Sequence, residues 1–266
     1  MLEAWLPRLA PWLLVAAASL SARAARAVDP FEIQVYDGTA NDPGAVGLEL
    51  HLNTVPNGLK SAEPPELAPH HQTHLTFEPS LGVRPWWELG GYFQVALAAD
   101  GRLRYAGVKL RSKFVTPPGW HPELRLGVNL ELSRIPAAFE RDRWGGEVRS
   151  IIAWENQHFL LVVNPIIEVS LAGQSASAGP ALAPALMAKA KIDGALALGF
   201  EYYADLGPIA DPAPLREQEQ YLFEAVDLLA IAHWELNAGV GEGLTAGSNG
   251  LLLKAIVGYS WGSSGP

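Results

Sequence analysis

The chain has 266 residues, 49% of them hydrophobic, and carries 26 glycines, 21 prolines and no cysteine. That apolar share excludes a disordered chain, and the lack of thiols excludes disulfides, thiolate nucleophiles, Cys-type zinc sites and a lipoprotein anchor. A formal net charge of −9 excludes the basic surface that nucleic acid requires as a partner.

In chain order, residues 1–27 read as a secretory signal. Arg8 gives a weakly basic start, 9–20 (LAPWLLVAAASL) form an apolar core, and Ala25-Arg26-Ala27 supplies an A-x-A cleavage site. Ala22-Arg23-Ala24 offers a second cut. Losing 1–27 removes three arginines and one glutamate, so the mature chain carries 16 basic and 27 acidic residues, a net −11. Mean hydropathy is +0.10. Beyond the signal no apolar run approaches the ~18 residues of a transmembrane helix.

From there a period of two dominates, with one face apolar and the other polar. The stretch 31–37 (FEIQVYD) alternates Phe31, Ile33, Val35 against Glu32, Gln34, Tyr36, and 46–54 alternates Leu48, Leu50, Leu52 against Glu49, His51, Asn53. A proline-rich loop, 55–71, leads to expected strands at 72–83 and 85–98, then 102–114, where Ala106, Val108, Leu110 and Phe114 oppose Lys109, Arg111 and Lys113. The stretch 123–133 (ELRLGVNLELS) puts leucine or valine at every even position. Eleven residues at ~3.3 Å rise and ~45° tilt span about 26 Å, close to the ~25 Å apolar band of an outer-membrane barrel. Further strands are expected at 146–154, 158–172, 181–191, 195–205, 219–230, 232–240 and 251–261. The spacing in 222–230 also admits a helix. Phase across the 181–205 hairpin requires a three-residue loop, Ile192-Asp193-Gly194, with Gly194 left-handed.

Counted back from the last strand, tight turns (231, 193–194, 155–157) alternate with long loops (241–250, 206–218, 173–180, 134–145). The loops at 99–101 and 116–122 fit that rule less well. Short turns on one side and long loops on the other mark a membrane barrel. The expected fold is therefore all-β, an antiparallel transmembrane β-barrel of about 12 strands over 46–261. An N-terminal segment, 28–45, packs in or beneath it, and 262–266 form a tail. A periplasmic sandwich or lipocalin-like barrel has the same alternation. Two features favour the membrane: a polar face rich in Gly and paired-sign charges, and aromatics near strand ends (Trp86, Trp87, Trp144, Trp154, Phe159, Tyr202, Tyr203, Trp234, Tyr259, Trp261) that suit interfacial girdles.

The segments GLELHLN (47–53), DGRLRYAGVKLRSKF (100–114), WGGEVRSIIAW (144–154), NPIIEVSLAG (164–173), LGFEYYADLGPI (198–209), REQEQYLFEAVDL (216–228) and GLTAGSNGLLLKAIVG (243–258) resemble uncharacterised proteobacterial outer-membrane β-barrels, often labelled "transporter". A looser similarity runs to MetA-type outer-membrane proteins of phenol degradation. The resemblance implies a barrel in the bacterial outer membrane and little about its solute.

The most function-like feature is the basic ladder Lys109, Arg111, Lys113, with Arg125 on the next strand. Facing a lumen, it presents positive charge along one wall, with Glu131, Glu147 and Glu168 on the opposite wall and Glu201 further on. The competing reading is a lattice of salt bridges filling a narrow interior. His70, His71 and His74 (HHQTH) are weak metal candidates. An integral-membrane lipid hydrolase would need a nucleophile beside a base; Ser112, Ser150, His51, His158 and His233 lie on or near strands without triad spacing. The expected function is a passive pore or small-solute channel, with no cofactor and no catalytic residues. Its expected partners are outer-membrane lipid, the barrel-assembly machinery and a small polar or aromatic solute, with no nucleic acid. The alternatives are a plugged structural or binding barrel and the hydrolase.

Overall fold

The computed structural model of the protein describes residues 28–262 apart from Gln174, Asp193 and Ala232. The signal at 1–27 and tail residues 263–266 lie outside the described residues.

Fourteen strand segments follow in order. They are β1 (Val46–Asn57), β2 (Thr73–Arg84), β3 (Trp87–Leu97), β4 (Leu103–Val115), β5 (Leu124–Arg134), β6 (Trp144–Glu155), β7 (Phe159–Asn164), β8 (Ile166–Ala172), β9 (Ala181–Leu182), β10 (Ala185–Ile192), β11 (Leu196–Asp205), β12 (Glu219–Leu228), β13 (Trp234–Gly243) and β14 (Leu251–Trp261). Two barrel strands are interrupted by proline, which has no N–H for the ladder. Pro165 separates β7 from β8, both of which pair with β6, and Pro184 lies between β9 and β10. The result is a closed antiparallel barrel of twelve strands, the expected number. β1 pairs with β14 from Val46↔Trp261 to Asn57↔Leu251, and β5–β6 pairing completes the ring. The 222–230 region lies mostly in strand β12, and the 193–195 loop keeps β10 and β11 in phase, one position later than expected, with Gly194 at φ 71°.

All strands run between two unlike ends. The lower end holds Val46, Trp261 and the connections 85–86, 116–123, 156–158, 193–195 and 229–233. The upper end holds the loops 58–72, 98–102, 135–143, 173–180, 206–218 and 244–250. Outward side chains are apolar along most strands: Leu48, Leu52, Phe77, Leu89, Phe93, Leu110, Leu130, Leu132, Ile152, Leu198 and Val257 are all exposed. In water such a continuous surface would be unstable; against lipid it is the favoured one. Aromatics gather at the lower rim, where Trp86, Trp87 and Phe114 stack, and Trp234, Tyr259 and Trp261 meet edge to face. Tyr203, expected in a girdle, is instead inside the barrel at 4% exposure, edge-on to Phe223.

Two further expectations change. Ala106 faces the lumen, fully buried, while Leu103 and Tyr105 face outward. A bulge opposite Gln94/Val95 shifts the phase at Gly107, whose φ is 135°. A Cβ at Gly107 would lie 2.9 Å from the Arg134 carbonyl oxygen. Gly107→Val is therefore expected to cost about 1–3 kcal/mol, read as a lower urea midpoint for barrel unfolding; an unchanged midpoint would mean that the bulge can relax.

The stretch 31–37 is also not a strand. It threads the lumen, with Phe31, Glu32, Ile33, Val35 and Tyr36 all buried. Its alternation reflects two unlike walls. Ile33 and Val35 pack into an apolar cluster with Val162, Met187, Tyr203 and Phe223, each contributing roughly 1.5–3 kcal/mol by burial. Glu32 and Tyr36 face the charged wall of β3–β6.

Candidate functional site

Strand phase and the Gly107 bulge direct Lys109, Arg111, Lys113, Arg125, Glu131, Glu147, Glu168 and Glu201 into the barrel. Their electrostatics differ from the expected positive wall. Lys109 Nζ reaches Asp29 (2.6 Å), Glu32 (3.0 Å) and Glu131 (3.3 Å). Arg111 bonds Glu78 and Glu88, each at 2.7 Å, and Lys113 lies 2.9 Å from Glu88. Arg125 pairs with Glu155 and Asp37. Glu131 and Glu147 stand on the strands next to the ladder rather than opposite it, and Glu201 binds Lys189 (2.8 Å) and Lys254. The ladder is thus compensated charge by charge. Glu78 and Glu88, its main partners, share the even, inward phase of β2 and β3, so reading those strands for phase would have found them.

The N-terminal segment is held mainly through its carbonyl groups. Asn53 Nδ2 donates to Pro30 O (2.9 Å), Thr76 Oγ1 to Phe31 O (2.9 Å), and Lys254 Nζ to Ile33 O (3.1 Å). Arg149 Nη1 donates to Gln34 O (3.1 Å), Asn164 Nδ2 to Tyr36 O (3.0 Å), and Arg125 Nε to Asp37 O (2.8 Å). Asn164 also accepts the Tyr36 N–H at 2.7 Å, so one side chain serves both main-chain groups as a neighbouring strand would. The Tyr36 ring lies under the Arg149 guanidinium at 4.4 Å, and its hydroxyl meets Tyr92 (2.5 Å) and donates to Glu32 (2.9 Å). Asn164→Ala removes both main-chain contacts. Leaving a buried amide unmatched costs about 1–3 kcal/mol, so hydrogen exchange at Tyr36 is expected to accelerate by about one to two orders of magnitude. Unchanged exchange would show that the segment is held elsewhere.

The segment separates two chambers. The upper one, about 360 Å³, lies beneath the long loops and is bordered by Val28–Phe31, Lys109, Glu131, Glu147, Glu219 and Phe223. The lower one, about 330 Å³, is bordered by Gln34–Thr39, Glu49, Arg111, Lys191, Asp227 and Glu235. At the upper rim Arg141 hydrogen-bonds Glu63 (2.5 Å), and that contact holds the arginine pKa above its ordinary value.

The three candidate histidines separate. His70 and His71 lie ring to ring in the loop at 3.8 Å, while His74 is inside, with Nε2 2.9 Å from Gln72 Oε1. Among the described residues, the cluster with ligand atoms in mutual reach is Glu49, His51 and Glu78, where His51 Nε2 is 3.0 Å from Glu78. Ser112 faces outward and accepts a hydrogen bond from Trp87 Nε1 (2.9 Å), and Ser150 is likewise on the outer face of β6. His51 is on the opposite, inner face, and His158 and His233 lie in lower turns.

No protein-family model matches this chain, and no curated protein matches it. Solved structures share its architecture. An outer membrane channel from Pseudomonas putida F1 superposes with a TM-score of 0.58 at 12% identity, over 86% of this chain and 100% of that one. The KdgM porin superposes at 0.52 with 8% identity, over 81% and 99%. At these identities the likeness is one of fold: this chain has the architecture of a transmembrane β-barrel.

Proposed function

We propose that the chain is a bacterial outer-membrane channel that passes a small solute passively and needs no cofactor, with residues 28–45 controlling the passage. In this reading the lower end is periplasmic, exported chains are inserted by the barrel-assembly machinery, and the apolar outer face meets lipid. It also accords with the resemblance to outer-membrane barrels labelled "transporter" and to the MetA-type proteins.

The observation that carries the reading is that the charged anchors of the N-terminal segment have a second partner in the wall. Without the segment, Lys109 keeps Glu131, Arg149 keeps Glu147 (2.8 Å), Arg125 keeps Glu155 and Lys254 keeps Glu201. Stranding a buried charge costs about 3–5 kcal/mol, and this arrangement avoids that cost when the segment withdraws. Glu32 leaves with the segment and is rehydrated. A permanent plug has no need of such duplication.

Planar-bilayer recording tests the reading. The full chain is expected to give intermittent conductance steps. Silence at every voltage, from protein whose electrophoretic mobility still shifts on boiling, would favour the plugged binding barrel instead.

A further inference from the structure

The two chambers differ in charge. Nine carboxylates and two basic side chains border the upper one, whereas the lower one has seven and five. Several upper carboxylates have partners, Lys109 serving both Asp29 (2.6 Å) and Glu131 (3.3 Å), and the excess of carboxylates over basic side chains is still larger than in the lower chamber. A cleft with walls of one sign focuses its field on the opposite ion. Aromatic surface from Phe31, Phe139, Tyr221 and Phe223 lies among these carboxylates. Carboxylate beside aromatic ring is the environment that stabilises a cation carrying apolar groups.

A second observation is independent of the charge count. His74 borders the same chamber at 2% exposure. The Gln72 amide nitrogen donates to the carbonyls of Ala68 (2.8 Å) and Leu67 (3.4 Å), so its oxygen is the acceptor and His74 Nε2 must donate to it. His74 Nδ1 is then a bare acceptor without a hydrogen-bond partner. A donor N–H is what it lacks.

We propose that the upper chamber is the recognition site of the channel and that its solute is a small protonated amine with an apolar or aromatic portion. The proposal rests on the channel reading above and names its substrate class. The volume of about 360 Å³ falls within the range of small-molecule sites.

The test uses the full chain in planar bilayers under a potassium chloride gradient, with phenethylammonium and phenylacetate as probes of like size and opposite charge. The expected result is a cation-selective reversal potential and block by phenethylammonium at a concentration at least severalfold below that of phenylacetate. Glu66→Gln with Glu219→Gln should lower that ratio at least twofold. If the double variant loses its heat-modifiable migration, Glu66→Gln alone, in an upper loop, serves.

Calorimetry with both probes on detergent-solubilised protein separates the two claims. Steps that prefer anions, or equal block by both probes, would overturn the amine proposal and leave the channel standing. No steps, with binding of phenethylammonium alone, would overturn the channel and support the recognition site. No steps and no binding would overturn both.

Discussion

Deleting residues 28–43 is expected to turn intermittent steps into a steady, severalfold larger conductance. Twelve strands ~4.8 Å apart and tilted by ~40° enclose a backbone cylinder of radius about 12 Å. A layer of inward side chains roughly 5–6 Å deep leaves a passage about 13 Å wide, or about 130 Å² in section. An extended chain with its side chains is nearly that wide, so 28–43 is sufficient to close the passage. The barrel should survive the deletion, because strand pairing closes it and the charged anchors of the segment retain wall carboxylates. Unchanged conductance would mean that the constriction lies in the wall.

The second large effect is on stability. Arg111 is 4% exposed, and its two acceptors, Glu78 and Glu88, are 1% and 2% exposed. Both belong to the wall, and the N-terminal segment touches this lock only at its edge, where the Asn41 N–H donates to Glu88 (2.7 Å) and the Tyr36 ring lies 5.8 Å from the Arg111 guanidinium. Arg111→Met leaves His51 on Glu78 and Lys113 on Glu88 but removes the only side chain that hydrogen-bonds both among the described contacts. Breaking one side of a buried pair costs about 3–5 kcal/mol, and a drop of that size is expected in urea unfolding of the reconstituted barrel. The exposed pair Arg102–Asp100, 3.9 Å apart, gives the contrast: Arg102→Met should change stability by at most about 0.5 kcal/mol. Equal effects at the two sites would show that water reaches Arg111.

Much of the wall was legible because a half-buried strand has one repeating rule. In 123–133 every even residue faces out, and Asn129 and Glu131 face in. Two local events broke the rule: the Gly107 bulge, which sent Ala106 inward, and Pro165, which divided a stretch that reads as one strand. The N-terminal segment was harder. Alternation in 31–37 reports that its two sides meet unlike surroundings, which is as true of a chain threading a half-charged, half-apolar lumen as of a strand in a sheet. The inward direction of the basic ladder follows from phase alone. The partners of Arg111 and Lys113, Glu78 and Glu88, follow from the same phase, whereas Asp29 and Glu32 reach Lys109 only through the tertiary path of 28–36.

A reversible lock tests the central claim, that the seated N-terminal segment controls the passage. The chain has no cysteine of its own. A Cβ built at Gly38 lies 3.1 Å from Arg125 Cβ, a few tenths of an ångström inside the usual ~3.5–4.5 Å of a disulfide, so Gly38→Cys with Arg125→Cys can bond once the backbone shifts and bears the strain of a side chain at φ 82°. Single-channel recording of this variant should show no steps when oxidised and steps again once reductant is added. Steps that persist unchanged, with the cross-link verified by mass spectrometry, would contradict the account.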